Sequence, residues 1–149
     1  MIRVELARII IDEKRQDQVI VLKEKDGDRQ IPIVIGFMEA SSIKIKITGL
    51  EVPRPMTHDL ISQIIESLGA KFERVLIDKL VQNTYFAKIE IKTKEGEIKV
   101  IDARPSDSVA MAVRFKAPIF VTEEVLEKAA MNPQWNTWKK FLTLKSFCF

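Results

Sequence analysis

Ser42-Ile43-Lys44-Ile45-Lys46-Ile47-Thr48 decides the fold, because it reads in two ways. The Ile-Lys alternation from Ile43 to Ile47 has the period of two of a half-buried strand. Ala40-Ser41-Ser42 in front and Gly49 behind look instead like a helix body and its C-terminal glycine. A repeat of the pattern settles the choice. Shifted by 66 positions, Leu6-Ala7-Arg8-Ile9-Ile10-Ile11-Asp12 falls on Phe72-Glu73-Arg74-Val75-Leu76-Ile77-Asp78. The same shift brings Val34-Ile35 onto Val100-Ile101, and Ser42-Ile43-Lys44-Ile45 onto Ser108-Val109-Ala110-Met111. That last partner lies in residues 105–115, a helical pattern with Val109, Ala112 and Val113 as its buried stripe. Residues 39–48 are therefore expected to be helical. The chain is expected to be a tandem duplication of a strand-strand-strand-helix unit.

Outward from this segment the rest falls into place. Residues 2–12, 18–25 and 29–35 read as strands, with Asp26-Gly27 turning the second into the third. Residues 50–56 hold Pro53 and Pro55 and read as a loop. Thr57 is the expected N-cap of a helix over 58–68, stopped by Gly69, with Ile61, Ile64, Ile65 and Leu68 on one apolar face. Residues 71–79, 84–93 and 97–103 repeat the three strands, with Lys94-Glu95-Gly96 turning the last hairpin. A short strand over 118–122 and a helix over 123–130 follow. Asn132-Pro133 opens an expected last helix with a Trp135, Trp138, Phe141 and Leu142 stripe. The fold class expected is α+β, with mixed, largely antiparallel sheets and packed helices.

Composition narrows the function. The chain has 149 residues, 46% hydrophobic and 30% charged, which is enough to bury a core and excludes disorder as the main state. One Cys and one His exclude a Cys-His zinc cluster and an intrachain disulfide. A reducing cytoplasm is the expected setting, since no apolar run is long enough to span a membrane and Arg3 and Glu5 interrupt the start. The net charge of +3 tolerates a polyanionic partner without marking a dedicated DNA binder. Abundant Lys, Glu and Ile with few Asn and Gln lean toward a heat-adapted source. The apolar last helix points to a homodimer.

Two turns carry the chemistry: Pro53-Arg54-Pro55-Met56-Thr57-His58-Asp59-Leu60 and Asp102-Ala103-Arg104-Pro105-Ser106-Asp107-Ser108-Val109. Each packs an arginine, acids and a hydroxyl ahead of a helix, where rigid elements hold binding groups in exposed loops. His58 is the natural proton shuttle, and Asp59 beside it is a partner or a metal ligand. Against this stands plain capping, with Asp59 in the first turn where a negative charge suits the helix dipole. Asp102 and Asp107 could hold Mg²⁺ or Mn²⁺ or orient water, with Glu39 as a further ligand. Arg54 and Arg104 could grip phosphate. Ser106, at the helix N-terminus opened by Pro105, could bind substrate through free N–H groups. The alternative is a fold-locking network, with Ser106 or Asp107 as cap and Arg104 paired to Asp102.

The two turn motifs, with Ile31-Pro32-Ile33-Val34-Ile35-Gly36 before the first helix and Ala117-Pro118-Ile119-Phe120-Val121 after the second, resemble the bifunctional nuclease family of bacteria and plants. The resemblance covers residues 1–130, leaving 131–149 as a C-terminal helical extension. The Lys44 and Lys46 pair departs from the Ala/Leu-rich helix of relatives. The resemblance implies a non-sequence-specific nuclease that hydrolyses phosphodiester bonds in RNA and DNA. With it, His58, Asp59, Asp102 and Asp107 are the candidate catalytic residues. Arg54, Arg104 and Ser106 are the candidate substrate-binding ones. The modest charge keeps a second reading open, a non-catalytic module that binds nucleotides, nucleic acid or another anionic ligand.

Overall fold

Alternating β-branched and charged residues through the first 36 positions fold as three strands, β1 (Ile2–Ile10), β2 (Asp17–Glu24) and β3 (Gln30–Gly36). The computed structural model describes residues 1–12, 14, 16–133 and 136, and the backbone of 146–148. After β3 come α1 (Phe37–Thr48) and α2 (Thr57–Ser67). A second set of three strands follows, β4 (Lys71–Val81), β5 (Thr84–Lys92) and β6 (Ile98–Ala103), then α3 (Pro105–Phe115). The described chain closes with β7 (Ile119–Val121), α4 (Glu123–Ala130) and β8 (Ser146–Cys148).

The α+β class holds, but the strands of the described residues form one eight-stranded sheet rather than several. Its order is β3-β2-β1-β7-β4-β5-β6, with β8 paired to β1. The cause is β7. Three residues long, it pairs antiparallel with β1 through Ile2↔Val121 and parallel with β4 through Val75↔Ile119. Among the described residues every other pairing is antiparallel. On either side of β7 the first, second and third strands of a set lie progressively further out. A register shift interrupts β1 between Leu6 and Arg8 and β4 between Phe72 and Arg74, at matching places in the two sets.

The ambiguous segment is helical. Ala40 and Ile43 are fully buried and Ile47 packs beside them, a spacing of three and four that fits a helix face. Gly49 ends α1 in the left-handed region at φ 70°, and Leu50 N–H bonds back to Ile45 O at 3.2 Å. α1 rests on β2 and β3, α3 rests on β4 and β5, and the two helices pack on each other. The core between them includes Ile20, Leu22, Ile31, Val75, Ile77 and Val109. α3 is buried on nearly every side, from Ser108 to Ala112, because the sheet lies beneath it and α1 and α2 flank it.

Three local expectations are corrected. The cap of α2 is Met56, not Thr57. Asp59 reaches back to accept the Met56 N–H at 3.0 Å, so the helix begins one residue earlier. The apolar face of that helix is mostly exposed among the described residues, with Leu60 at 52%, Ile64 at 50% and Leu68 at 70%. The end of the chain is not helical throughout, because residues 146–148 pair with Arg8, Ile9 and Ile10 of β1. The Trp135–Leu142 stripe lies outside the described residues.

Candidate functional site

The first turns of α1, α2 and α3 come together, and a single chain of polar contacts runs from them through Ser42 in the middle of α1 to Arg114 in the last turn of α3. It starts at Glu39 in the first turn of α1, whose carboxylate takes the Arg104 Nη2 at 3.1 Å. Arg104, the N-cap residue of α3, turns its Nε to Asp107 Oδ2 at 2.9 Å. Asp107 Oδ1 meets His58 Nε2 at 2.9 Å. The other ring nitrogen, Nδ1, lies 2.7 Å from Ser42 Oγ. Arg114 Nη2 donates to that same Oγ at 3.1 Å, while its Nε donates to Asp59 Oδ1 at 2.8 Å. Three helices are thus tied by alternating acids and bases.

Charge state follows from this geometry. Burial pushes the Asp107 carboxyl up, but hydrogen bonds from Arg104 and His58 and the arginine charge more than reverse it, leaving it below the ordinary value of 3.8. Asp59 behaves alike: burial raises it, and Arg114 and the Met56 N–H bring it lower. With Asp107 ionised, a neutral His58 carries its proton on Nε2 and presents a bare Nδ1, which accepts the Ser42 hydroxyl proton. Arg114 donates to the Ser42 lone pair left over. A pocket of about 190 Å³ opens on this group, lined by Met38, Glu39, Ser42, Met56, Thr57, His58, Arg104 and Asp107.

The seven candidates from the two turns and Glu39 separate in space. His58, Asp107, Arg104 and Glu39 come together. Asp59 does not share a target with His58. One residue further along the helix, it points to Arg114 instead. Asp102 stands on β6 opposite Lys88 in the β5 register, and no hydrogen bond or ion pair links it to Asp107 or Arg104. Ser106 is 5% exposed and lines a different cleft. Arg54 is exposed on its loop and makes no hydrogen bond or ion pair among the described residues. Sequence reasoning missed Ser42 and Arg114. The available signal was spacing: Arg114 lies seven residues after Asp107, two turns along the same helix.

The carboxylates do not fit a divalent ion as arranged. The Arg104 guanidinium stands between Glu39 and Asp107, where a cation would have to sit, and Asp102 is elsewhere. Among the described residues no three His, Cys, Asp or Glu side chains gather as ligands. No helix among the described residues is long and apolar enough to cross a membrane.

An α+β domain with one mixed sheet and a histidine-acid chain at the helix N-termini is the class these features define. The bifunctional nuclease domain matches residues 20–134. An uncharacterized protein of Mycobacterium tuberculosis is 41% identical over 128 residues, covering 86% of this chain and 76% of its own length. Bifunctional nuclease 2 of Oryza sativa subsp. japonica is 32% identical over 115 residues, and bifunctional nuclease 1 of Arabidopsis thaliana 30% over 107. These matches cover 74% and 70% of this chain but only 35% and 33% of the plant proteins. The chain belongs to the bifunctional nuclease domain family.

Proposed function

We propose that this protein is a non-sequence-specific nuclease that hydrolyses phosphodiester bonds in RNA and DNA at the His58 pocket. The observation that carries the reading is the Asp107–His58–Ser42 chain, with contacts of 2.9 and 2.7 Å, beside an arginine whose side chain is 65% exposed. The names of the plant relatives supply the substrate class. Arg104 neutralises the phosphate, with Arg54 reaching it from the exposed loop. Both ring nitrogens of His58 are engaged, so the ring works through Ser42. The Ser42 hydroxyl takes a proton from the attacking water as it passes its own to Nδ1. Asp107 holds Nε2–H and stabilises the imidazolium that forms. Hydroxide attacks phosphorus, and the leaving oxygen departs with the proton returned along the same path.

Cleavage of end-labelled single-stranded RNA and duplex DNA tests this, with Mg²⁺, Mn²⁺ or EDTA. His58→Ala, Asp107→Asn and Ser42→Ala should each cut the rate roughly tenfold or more, with melting temperatures near that of the wild type. Survival in EDTA is expected, because no step here uses a metal. Equal rates in wild type and in stable variants would sink the assignment.

One observation favours a second reading, a module that binds nucleotides, nucleic acid or another anion without cutting it: His58 and the Asp107 carboxylate already have their partners within the protein. Saturable binding with no turnover would select it. We also propose a cytoplasmic homodimer. The exposed apolar stripe of α2 supports the dimer.

A further inference from the structure

On the far side of Arg104 from His58 lies a second, larger cleft of about 350 Å³. Its walls are the 32–36 end of β3, the β4–β5 turn at Asn83, Tyr85, and the α3 N-terminus at Arg104, Pro105 and Ser106. The first backbone bond of α3 runs from Ser108 N–H to Arg104 O at 3.0 Å. Pro105 has no N–H to satisfy, so the Ser106 and Asp107 N–H groups are left without a helical acceptor and carry the positive end of the helix dipole.

Ser106 adds an independent sign. It is 5% exposed, yet its hydroxyl has no hydrogen-bond partner among the described residues, and it lines the cleft. The Ser106 Oγ is not among the side-chain atoms sealed from solvent without a partner, so it is reached from the cleft and is free to donate to an incoming acceptor. The Arg104 Nε and Nη2 are spent on Asp107 and Glu39, and its Nη1 makes no hydrogen bond within the described protein. Two free N–H groups, a hydroxyl and a guanidinium edge make an oxyanion cradle.

The rest of the cleft is not phosphate-like. Tyr85 offers an aromatic ring, and Pro32, Ile33 and Val34 an apolar wall. Asp17 and Asn83 on the rim supply hydrogen-bonding groups for a sugar hydroxyl or a base edge. The volume reaches the low end of the roughly 300–1,000 Å³ usual for small-ligand sites, which the His58 pocket does not.

We propose that this cleft binds one nucleotide, its phosphate at the α3 N-terminus on Ser106 and Arg104 and its base against Tyr85. The choice of a nucleotide rests on the nucleic-acid reading above, but the binding needs no bond to be cut. Arg104 then joins two subsites, so that a strand seated in the larger cleft presents its next phosphate to His58.

The test is titration of the full chain with adenosine 5′-monophosphate, ribose 5-phosphate, adenosine and inorganic phosphate, followed by NMR. Tyr85 is the only tyrosine in the chain, so its ring resonances report the base without ambiguity. Saturable shifts of the Ser106 and Asp107 amides and of the Tyr85 ring with the monophosphate are expected. Adenosine alone should bind at least tenfold more weakly. Ser106→Ala and Arg104→Ala should each weaken binding about fivefold or more, and since Arg104 is exposed its variant guards against a folding failure at Ser106. Inorganic phosphate binding as tightly as the nucleotide would overturn the base half, and no saturable shift would overturn the whole. His58→Ala separates this from the cleavage reading: it should cut the cleavage rate roughly tenfold or more and leave nucleotide binding in place. Binding without any cleavage would retain the cleft and discard the nuclease, and His58-dependent cleavage without binding would do the reverse.

Discussion

Two arginines in one contact chain should behave very differently on removal. The Arg114 side chain is 4% exposed and serves Asp59, Ser42 and the Ala110 carbonyl. Arg114→Leu takes the guanidinium donor from Asp59 Oδ1 and from the Ser42 oxygen, leaving Asp59 only the Met56 N–H, and should cost about 3 kcal/mol or more. Arg104→Ala removes exposed ion pairs and should cost about 1 kcal/mol or less. Denaturant melts of the two variants decide this, and equal losses would contradict it. The depressed carboxyls set an acid limit as well. Asp107 and Asp59 titrate lower in the folded protein than their ordinary value of 3.8. Their contribution is therefore present above about pH 4 and is lost as pH falls through the folded values. Stability measured from pH 6 downward should drop in that range, and Asp59→Asn with Asp107→Asn should flatten the drop. At this scale the sequence was half legible. His58, Asp107, Arg104 and Glu39 stood out because charged residues and a lone histidine in turns are conspicuous. Ser42 and Arg114 did not, because an interior serine and a last-turn arginine look like ordinary helix residues until the partner helix is in place.

The elements were more legible than the site, and the exceptions have physical causes. α1 looked like a strand because lysines interleave its isoleucines, yet Ala40, Ile43 and Ile47 take one helical face and Lys46 faces solvent. Repetition of the pattern resolved what the local period did not. The start of α2 was misplaced because a side chain three residues inside the helix, Asp59, does the capping work expected of Thr57. Helix ends offer a direct check. α1 ends on Gly49 at φ 70°, and a Cβ built there meets nothing within 4 Å. Gly49→Ala should thus cost only the left-handed backbone penalty, about 1–2 kcal/mol. α3 ends on Lys116 at φ 52°, where the natural residue already bears that penalty. Lys116→Gly should stabilise the protein by up to about 1 kcal/mol, and opposite shifts in the two thermal melts would show it.

At the scale of the molecule, the class was legible and the single sheet was not. Two three-strand sets with a helix each are written in the repeated pattern, but nothing in a three-residue strand announces that it will lie between them. The exposed faces follow from the same architecture. α2 sits at the side of α3 and turns Leu60, Ile64 and Leu68 outward. If that stripe is the dimer contact, light scattering should give twice the chain mass for the wild type, and Ile64→Lys should give the single-chain mass with an unchanged melt. A monomeric wild type would remove the proposal.

The place of β7 also sets an order of events. Synthesis runs from β1 to β6 before β7 is made, yet β7 occupies the middle of the finished sheet. Until residue 121 has left the ribosome, the growing chain can build only two separate three-strand meanders, each with an open edge on the side where β7 will sit. The two halves are joined at the centre of the sheet by one of its last strands, so the nascent protein carries two sticky edges through most of its birth, and the Arg8–Ile10 part of the β1 edge waits longer still, for β8.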